Sequence, residues 1–62
     1  MCDVTAFIVK DGDEEKILES VEVVEAQGDE LELTNIFGER RTLRARLRRF
    51  DNNEGKLLLE PL

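Results

Sequence analysis

The sequence predicts an all-β protein from its turn spacing, its hydrophobic alternation and its composition. Turn-forming residues recur every 10 to 17 positions, around Gly12, Gly28, Gly38 and Gly55, and such punctuation is typical of consecutive short strands. The segments between the turns alternate apolar and polar side chains and are rich in valine, isoleucine and leucine. Hydrophobic residues make up 40% of the 62 residues and charged residues 39%, so the composition favours a packed core over disorder.

We predict five strands, at residues 4–10, 16–25, 30–36, 41–50 and 56–60. The second is interrupted by Glu19 and Ser20, where we expect a bend. The fourth loses its alternation at Arg49 and Phe50, which predicts a bulge near Arg49. Five short antiparallel strands, two of them bent, favour a small SH3-like or Sm-like barrel over a flat sheet. We expect this barrel to occupy residues 1–62 as a single domain.

Matching apolar side chains across neighbouring strands predicts the registers of two hairpins. The first sets Val23 opposite Leu31 and ends its loop with glycine, where a left-handed residue is favoured. The second sets Leu33 opposite Leu43. The first hairpin also pairs Val21 with Leu33, and its three-residue loop is 26–28. The second also pairs Leu31 with Ala45 and has its loop at 37–39. On the outer face of the second hairpin, Glu32 is expected opposite Arg44 and Glu30 opposite Arg46.

The first and last predicted strands are apolar on both faces, so one face can serve the core while the other needs a cover. A domain of this size has a marginal core, and a homodimer is the simplest cover. A chain end folded over these strands is the alternative. The predicted dimer interface consists of Val4, Ala6, Phe7, Val9 and Leu58.

Composition narrows the class of function. The chain has no histidine and one serine, and it lacks a glycine-rich phosphate loop, so we expect a binding protein rather than an enzyme. A net charge of −6, from 15 acidic and 9 basic residues, repels polyanions unless a local basic patch exists. No apolar run is long enough for a membrane span. A single unpaired cysteine, Cys2, is in keeping with a cytoplasmic protein.

Cys2 is the candidate metal ligand. If Met1 is retained, its amine, the Cys2 amide and the Cys2 thiolate form two fused five-membered chelate rings; if Met1 is removed, Cys2 offers its own amine and thiolate. Tetragonal nitrogen and sulfur sites suit Ni(II) or Cu(II), whereas closed thiolate sites suit Zn(II). With one sulfur per chain, a dimer is expected to complete the site. The alternative is that Cys2 is a small hydrophobic side chain without a ligand role.

The order of features along the chain resembles the CooT family of small nickel-binding proteins. The chain starts with Met1-Cys2 directly before an apolar strand, and it continues with a turn at Gly38, the triplet Arg49-Phe50-Asp51 and a closing strand at 56–60. The resemblance implies an SH3-like barrel that dimerises and binds Ni(II) through Cys2 and N-terminal backbone nitrogens at the dimer axis. It also implies nickel delivery to carbon monoxide dehydrogenase or another nickel enzyme.

Members of this family have also been labelled predicted RNA-binding proteins, and the fourth predicted strand bears on that alternative. Six arginines lie between positions 40 and 49, out of nine basic residues. Arg44, Arg46 and Arg48 are the candidate contacts to single-stranded RNA. The expected pairing with Glu30 and Glu32 favours instead a solvated sheet face stabilised by cross-strand charges. A third alternative is a protein-interaction adaptor that binds a partner through the apolar strands.

Overall fold

A computed structural model describes residues 4–62, and these residues form six strands and no helix. The all-β class is therefore confirmed, and none of these residues belongs to a helix that could cross a membrane. The strands are β1 (Thr5–Lys10), β2 (Asp13–Leu18), β3 (Val21–Gln27), β4 (Glu30–Asn35), β5 (Arg40–Asp51) and β6 (Lys56–Pro61).

The six strands form one sheet in the order β2-β1-β6-β5-β4-β3. The sheet is not closed into a continuous ladder, but it curls into the small barrel-like fold that the sequence predicts. The start of β3 approaches the residue before β1, where the Val21 amide donates a hydrogen bond of 2.8 Å to the Val4 carbonyl. β1 and β6 run parallel, which departs from the expected antiparallel pattern. The intervening chain supplies the long connection that a parallel pair requires.

The bend expected at Glu19 and Ser20 is a complete break between two strands. β2 ends at Leu18 and β3 begins at Val21, and the two strands lie at opposite edges of the sheet. Ser20 has a φ of 56°, in the left-handed region, and its carbonyl accepts a hydrogen bond of 3.0 Å from the Ile36 amide. The predicted strand 16–25 is thus corrected to two strands, because the strand pairing stops at the bend formed by Glu19 and Ser20.

The predicted register of the first hairpin is wrong. Ala26 lies opposite Leu31 and Val24 opposite Leu33, so the pairs of Val23 with Leu31 and Val21 with Leu33 do not form. Two residues connect the strands, and the first of them, Gly28, has a φ of 61°. A two-residue turn with glycine first has the geometry of type II′. The pairing shifts once more between Val21 and Val23, so that Val21 lies opposite Asn35.

The second hairpin is displaced by two residues from the prediction. Leu31 lies opposite Leu43, and Leu33 opposite Arg41. A slip of two residues leaves every side chain on its predicted face, so the core face is correct although the partners are not. The charged pairs change as well. Glu30 lies opposite Arg44 rather than Arg46, and Glu32 lies opposite Thr42 rather than Arg44.

Asn35 explains this displacement because its side chain organises a loop of five residues, 35–39. Its Oδ1 atom accepts hydrogen bonds from the amides of Phe37 at 3.0 Å and Glu39 at 2.8 Å. Its Nδ2 atom donates to Glu39 Oε1 at 2.7 Å. Asn35 is only 2% exposed, and these bonds compensate the cost of burying its amide. Asn35 is therefore a structural residue of the loop.

The bulge predicted near Arg49 is confirmed, since the pairing of β5 with β6 shifts between Leu47 and Arg49. Leu47 lies opposite Leu59, and Phe50 opposite Leu57. Both partners are core residues, so the extra residue brings Phe50 to the same side of the sheet as Leu47. The buried core consists of Ala6, Leu18, Val21, Leu31, Leu33, Ala45, Leu57 and Leu59.

We expect Leu33→Ala to unfold a large fraction of the protein. Leu33 is fully buried, and removing such a side chain costs about 2–5 kcal/mol, which is comparable to the roughly 3–5 kcal/mol that a domain of this size commonly has. Leu47→Ala is the matched control, because Leu47 is 50% exposed and should lose less than about 1.5 kcal/mol. Urea unfolding followed by circular dichroism measures both. Equal losses would contradict this assignment of the core.

We expect Asn35→Ala to lower the free energy of unfolding by about 1–3 kcal/mol, because the amides of Phe37 and Glu39 lose their acceptor. Asn53→Ala is the control, since Asn53 is exposed and surface substitutions usually change stability by less than about 0.5 kcal/mol. Thermal and urea unfolding of both variants measure the difference. An Asn35→Ala variant as stable as the native protein would show that the loop does not need this side chain.

Candidate functional site

The candidate metal ligands, Met1 and Cys2, lie outside the described residues. The first described residue is Val4, and hydrogen bonds attach the chain firmly at this point. The Val4 carbonyl accepts from the Val21 amide, and the Thr5 amide donates to the Gly55 carbonyl at 2.8 Å. Residues 4 and 5 are thereby held between the start of β3 and the turn that precedes β6.

An apolar groove opens beside Val4, and we call it the N-terminal groove. Its volume is about 320 Å³. Its lining residues are Val4, Val21, Glu22, Val24, Leu47, Phe50 and Leu57. Phe50 is 52% exposed, and it faces the groove because of the bulge in β5. The end of the barrel from which the chain start departs is therefore apolar and accessible.

The predicted dimer-interface residues lie on different sides of the sheet. Ala6 has no exposed surface and belongs to the core, so it must be removed from the predicted interface. Val4 packs against the core and lines the N-terminal groove. Phe7, Val9 and Leu58 are half-buried, and Lys56 Nζ lies 5.4 Å from the centroid of the Phe7 ring. The candidates for a dimer interface are therefore Val4, Phe7, Val9 and Leu58.

A cleft of about 440 Å³ lies on the face that carries Val9 and Leu58. Its other lining residues are Gly12, Glu14, Arg48 and Arg49. Glu14 Oε1 accepts a hydrogen bond of 3.3 Å from Lys56 Nζ, so charged side chains border the apolar surface. A partner on this face would meet an apolar centre with a polar rim, an arrangement common in protein interfaces.

The arginines proposed for RNA are all exposed. Arg46 Nε donates to Glu60 Oε1 at 2.9 Å, and Arg44 Nη2 lies 3.8 Å from Asp29 Oδ2. Within residues 4–62, no carboxylate forms an ion pair with Arg48. Two of the three guanidinium groups thus have acidic neighbours, although with different partners from those expected. RNA binding by these arginines stays a prediction.

A larger cleft, which the sequence did not reveal, lies between the end of β2 and the loop 35–39. We call it the Phe37 cleft, and its volume is about 540 Å³. Its lining residues are Lys16, Ile17, Leu18, Glu19, Asn35, Phe37, Glu39, Arg40 and Arg41. The sequence alone indicates only a turn at Phe37-Gly38. An aromatic residue at the tip of a polar turn was the signal for a surface site.

One ion pair borders the Phe37 cleft. Lys16 Nζ hydrogen-bonds the Glu19 carboxylate. This hydrogen bond, together with the attraction between the two charges, lowers the pKa of Glu19 from its ordinary value of 4.5. The stabilisation is therefore present above the unfolded-state pKa and is lost as the pH falls through the lower folded-state pKa. Both side chains are more than half exposed, so solvent screens the pair.

In the part of the chain that the structure describes, no group of three or more histidine, cysteine, aspartate or glutamate side chains is arranged to hold a metal ion. Six acidic residues of 4–62 form ion pairs with lysine or arginine side chains: Glu14, Glu19, Asp29, Asp51, Glu54 and Glu60. The metal prediction therefore depends on Cys2 and Met1.

Residues 4–62 define a small all-β protein with a barrel-like sheet of six strands, and an apolar groove and two clefts lie at its surface. The chain belongs to the CooT family, because the family model described as CO dehydrogenase accessory protein CooT matches residues 1–60. It is also similar to the crystal structure of a protein assigned as CooT from Carboxydothermus hydrogenoformans, with a TM-score of 0.92, 36% sequence identity and 98% of each chain covered. No curated protein matches the sequence. The family resemblance is confirmed.

We expect Lys16→Met to raise the pKa of the Glu19 carboxyl toward 4.5, because both causes of its depression are removed. A pH titration of the side-chain carboxyl carbons by NMR measures the change. Lys10→Met is the control, since Lys10 lies opposite Asp13 at the far end of β2 and should leave the pKa of Glu19 where it is. An unchanged pKa in Lys16→Met would show that the pair does not form in solution.

Proposed function

We propose that this chain is a nickel-binding accessory protein that delivers Ni(II) to carbon monoxide dehydrogenase or to another nickel enzyme. The family model that matches residues 1–60 describes a CO dehydrogenase accessory protein. In this role the nickel ion is cargo rather than a resident cofactor, and the protein binds and releases it without catalysing a reaction. The observation that carries the proposal is that the family match, over residues 1–60, includes Met1-Cys2.

The proposed ligands are the Cys2 thiolate and the backbone nitrogens at the chain start, including the amine of Met1 when that residue is retained. Such a mixed nitrogen and sulfur set suits Ni(II), and it also accepts Cu(II) or Zn(II). Two residues of chain span at most about 7 Å, so a metal held at Cys2 belongs to the end of the barrel where Val4 lines the N-terminal groove.

A second copy of the chain is proposed to complete the site, because Cys2 is the single cysteine of each chain. Homodimers most often have two-fold symmetry, and a two-fold axis near Val4 would bring two thiolates to one ion. Of the predicted interface residues, Val4 is nearest to Cys2 in the chain. The apolar surfaces of the N-terminal groove and of Phe7, Val9 and Leu58 supply area that a partner copy could bury.

Hand-over of the metal requires a site that binds Ni(II) reversibly. A free cysteine thiol has a pKa of about 8.5, and the ligand form is the thiolate. Binding therefore releases a proton, and affinity for Ni(II) should rise with pH. A site at the surface end of the barrel, rather than in the core, lets the ligands of a client enzyme displace those of this chain one at a time.

We expect calorimetric titration of untagged protein to show Ni(II) binding at about half an ion per chain, as a shared two-fold site requires. Cys2→Ser should abolish this binding, because the thiolate is lost while the side-chain size is kept. A thiolate-to-nickel absorbance band should appear in the native protein only. Zn(II) serves as the comparator metal, and the affinity for Ni(II) should increase between mildly acidic and mildly basic pH.

Asp29→Asn is the matched control, since it removes an exposed carboxylate at the opposite hairpin and should leave nickel affinity unchanged. Sedimentation analysis of the same samples reports whether the nickel-bound protein is a dimer. Nickel binding that persists in Cys2→Ser, or an affinity that does not vary with pH, would contradict thiolate ligation. A nickel-bound monomer would contradict the shared site.

A further inference from the structure

The loop 35–39 presents two large apolar side chains to solvent. Phe37 is 73% exposed, and it is the most exposed large hydrophobic residue among those described; Ile36 is 53% exposed. Exposing an aromatic ring to water has no benefit for folding. The loop nevertheless holds the ring in a defined place, because the Phe37 amide donates to Asn35 Oδ1 and the Gly38 amide donates to the Asn35 carbonyl.

Two cationic side chains flank this ring. Arg40 and Arg41 line the Phe37 cleft and are exposed. No carboxylate of residues 4–62 forms an ion pair with either of them. Arg44, Arg46 and Arg49 lie along the same strand and each has an acidic neighbour within 4 Å. The two arginines at the cleft are thus available to an external anion, whereas three of their neighbours are already engaged.

The cleft has the opposite charge to the rest of the molecule. Three cationic and two anionic side chains line it, which gives a local charge of +1 in a chain of net charge −6. Lys16 and Glu19 neutralise each other through their ion pair. Glu39 is held by the Asn35 amide, so its carboxylate points back to the loop that supports Phe37. The remaining uncompensated charge belongs to the two arginines.

We propose that the Phe37 cleft docks an acidic segment of a partner protein, with an apolar side chain against Phe37 and carboxylates at Arg40 and Arg41. Aromatic and arginine side chains are the residues that dominate binding energy at protein interfaces. A guanidinium group binds a carboxylate through two parallel hydrogen bonds. The hydrogen bonds of Asn35 hold the loop before binding, which reduces the ordering cost of association.

An RNA strand fits this cleft less well than an acidic peptide. Single-stranded nucleic acid needs a cationic path for successive phosphates and several aromatic platforms. Among the described residues, the cleft offers a single aromatic ring, and Glu19 and Glu39 line it together with the cations. A peptide can alternate its charged and apolar side chains to match these positions. The residues that line the docking surface lie between positions 16 and 41 and include none of the proposed metal ligands, so the inference goes beyond the proposed nickel function and can be tested without metal.

The test is an NMR titration of the full ¹⁵N-labelled chain carrying Cys2→Ser, without metal. The probes are a peptide that alternates aspartate with leucine, the same peptide with lysine replacing aspartate, and a short oligouridylate. We expect the acidic peptide to shift the backbone amides of 16–19 and 35–41 in a saturable manner. Binding should weaken as salt is added, because the contacts are charged and exposed.

Phe37→Ser and Arg41→Gln should each weaken binding of the acidic peptide by about tenfold. The matched controls are Phe50→Ser, since Phe50 is 52% exposed away from the cleft, and Arg48→Gln, which removes an exposed arginine elsewhere on β5. Both controls should change affinity by less than about twofold. All four side chains are exposed, and the amide spectrum of each variant verifies its fold.

The proposal is overturned if the acidic peptide produces no saturable shifts, or if the lysine peptide binds as tightly. It is also overturned if oligouridylate shifts the same amides at lower concentration, which would make the cleft an RNA site. A loss in Phe50→Ser equal to that in Phe37→Ser would place the surface elsewhere. None of these outcomes depends on nickel binding, so failure here is distinguishable from failure of the nickel proposal.

Discussion

The parallel pairing of β1 with β6 joins two parts of the sheet that would otherwise be separate. On one side of this pair lies the hairpin of β1 and β2, and on the other lie β6, β5, β4 and β3. Ala6 and Leu57 face each other across it, as do Ile8 and Leu59, and Ala6, Leu57 and Leu59 are core residues. A two-stranded hairpin alone is marginally stable in water. The pairing of distant chain segments therefore makes one core out of two pieces.

The dependence of the core on the pairing of β1 with β6 has consequences for folding and for the start of the described chain. Contacts between residues near the two ends of the chain must form late, because closing a long loop costs more entropy than closing a hairpin. All-β domains with such distant contacts fold slowly compared with helical ones. The same pairing sets Thr5 beside Lys56, and the Val21 amide holds the Val4 carbonyl, so the described chain is anchored from its first residue.

The residues differ in how well their positions could be predicted from the sequence. Alternation along β4 and β5 correctly placed Leu31, Leu33 and Ala45 on the core face, and its failure at Arg49 correctly indicated the bulge. The registers could not be obtained in this way. In the second hairpin, leucines that recur at every second position match equally well after a slip of two. In the first hairpin, the observed pairing is displaced by three residues, and a further shift lies between Val21 and Val23. The actual register depends on Gly28 and on the side-chain hydrogen bonds of Asn35.

The candidate sites also differ in how much the sequence alone could predict. Cys2 stays a prediction, made from the chemistry of the chain start and from the family resemblance, because it lies outside the residues that the structure describes. The Phe37 cleft could not be identified, since it combines residues from β2, from the loop 35–39 and from β5. Only the fold brings these segments together. The charges of Arg40 and Arg41 became informative only when the ion pairs of Arg44, Arg46 and Arg49 were known.

The parallel direction of β1 and β6 also determines where the two ends of the chain lie. Thr5 is beside Lys56, at the beginning of both strands, whereas Pro61 lies at the other end of β6, roughly 17 Å away at the usual rise per residue of a strand. The C-terminal end is therefore remote from the end of the barrel that contains Val4. A fluorophore, an affinity handle or a surface-immobilisation linker attached after Leu62 would therefore start at the end of β6 that is remote from Thr5.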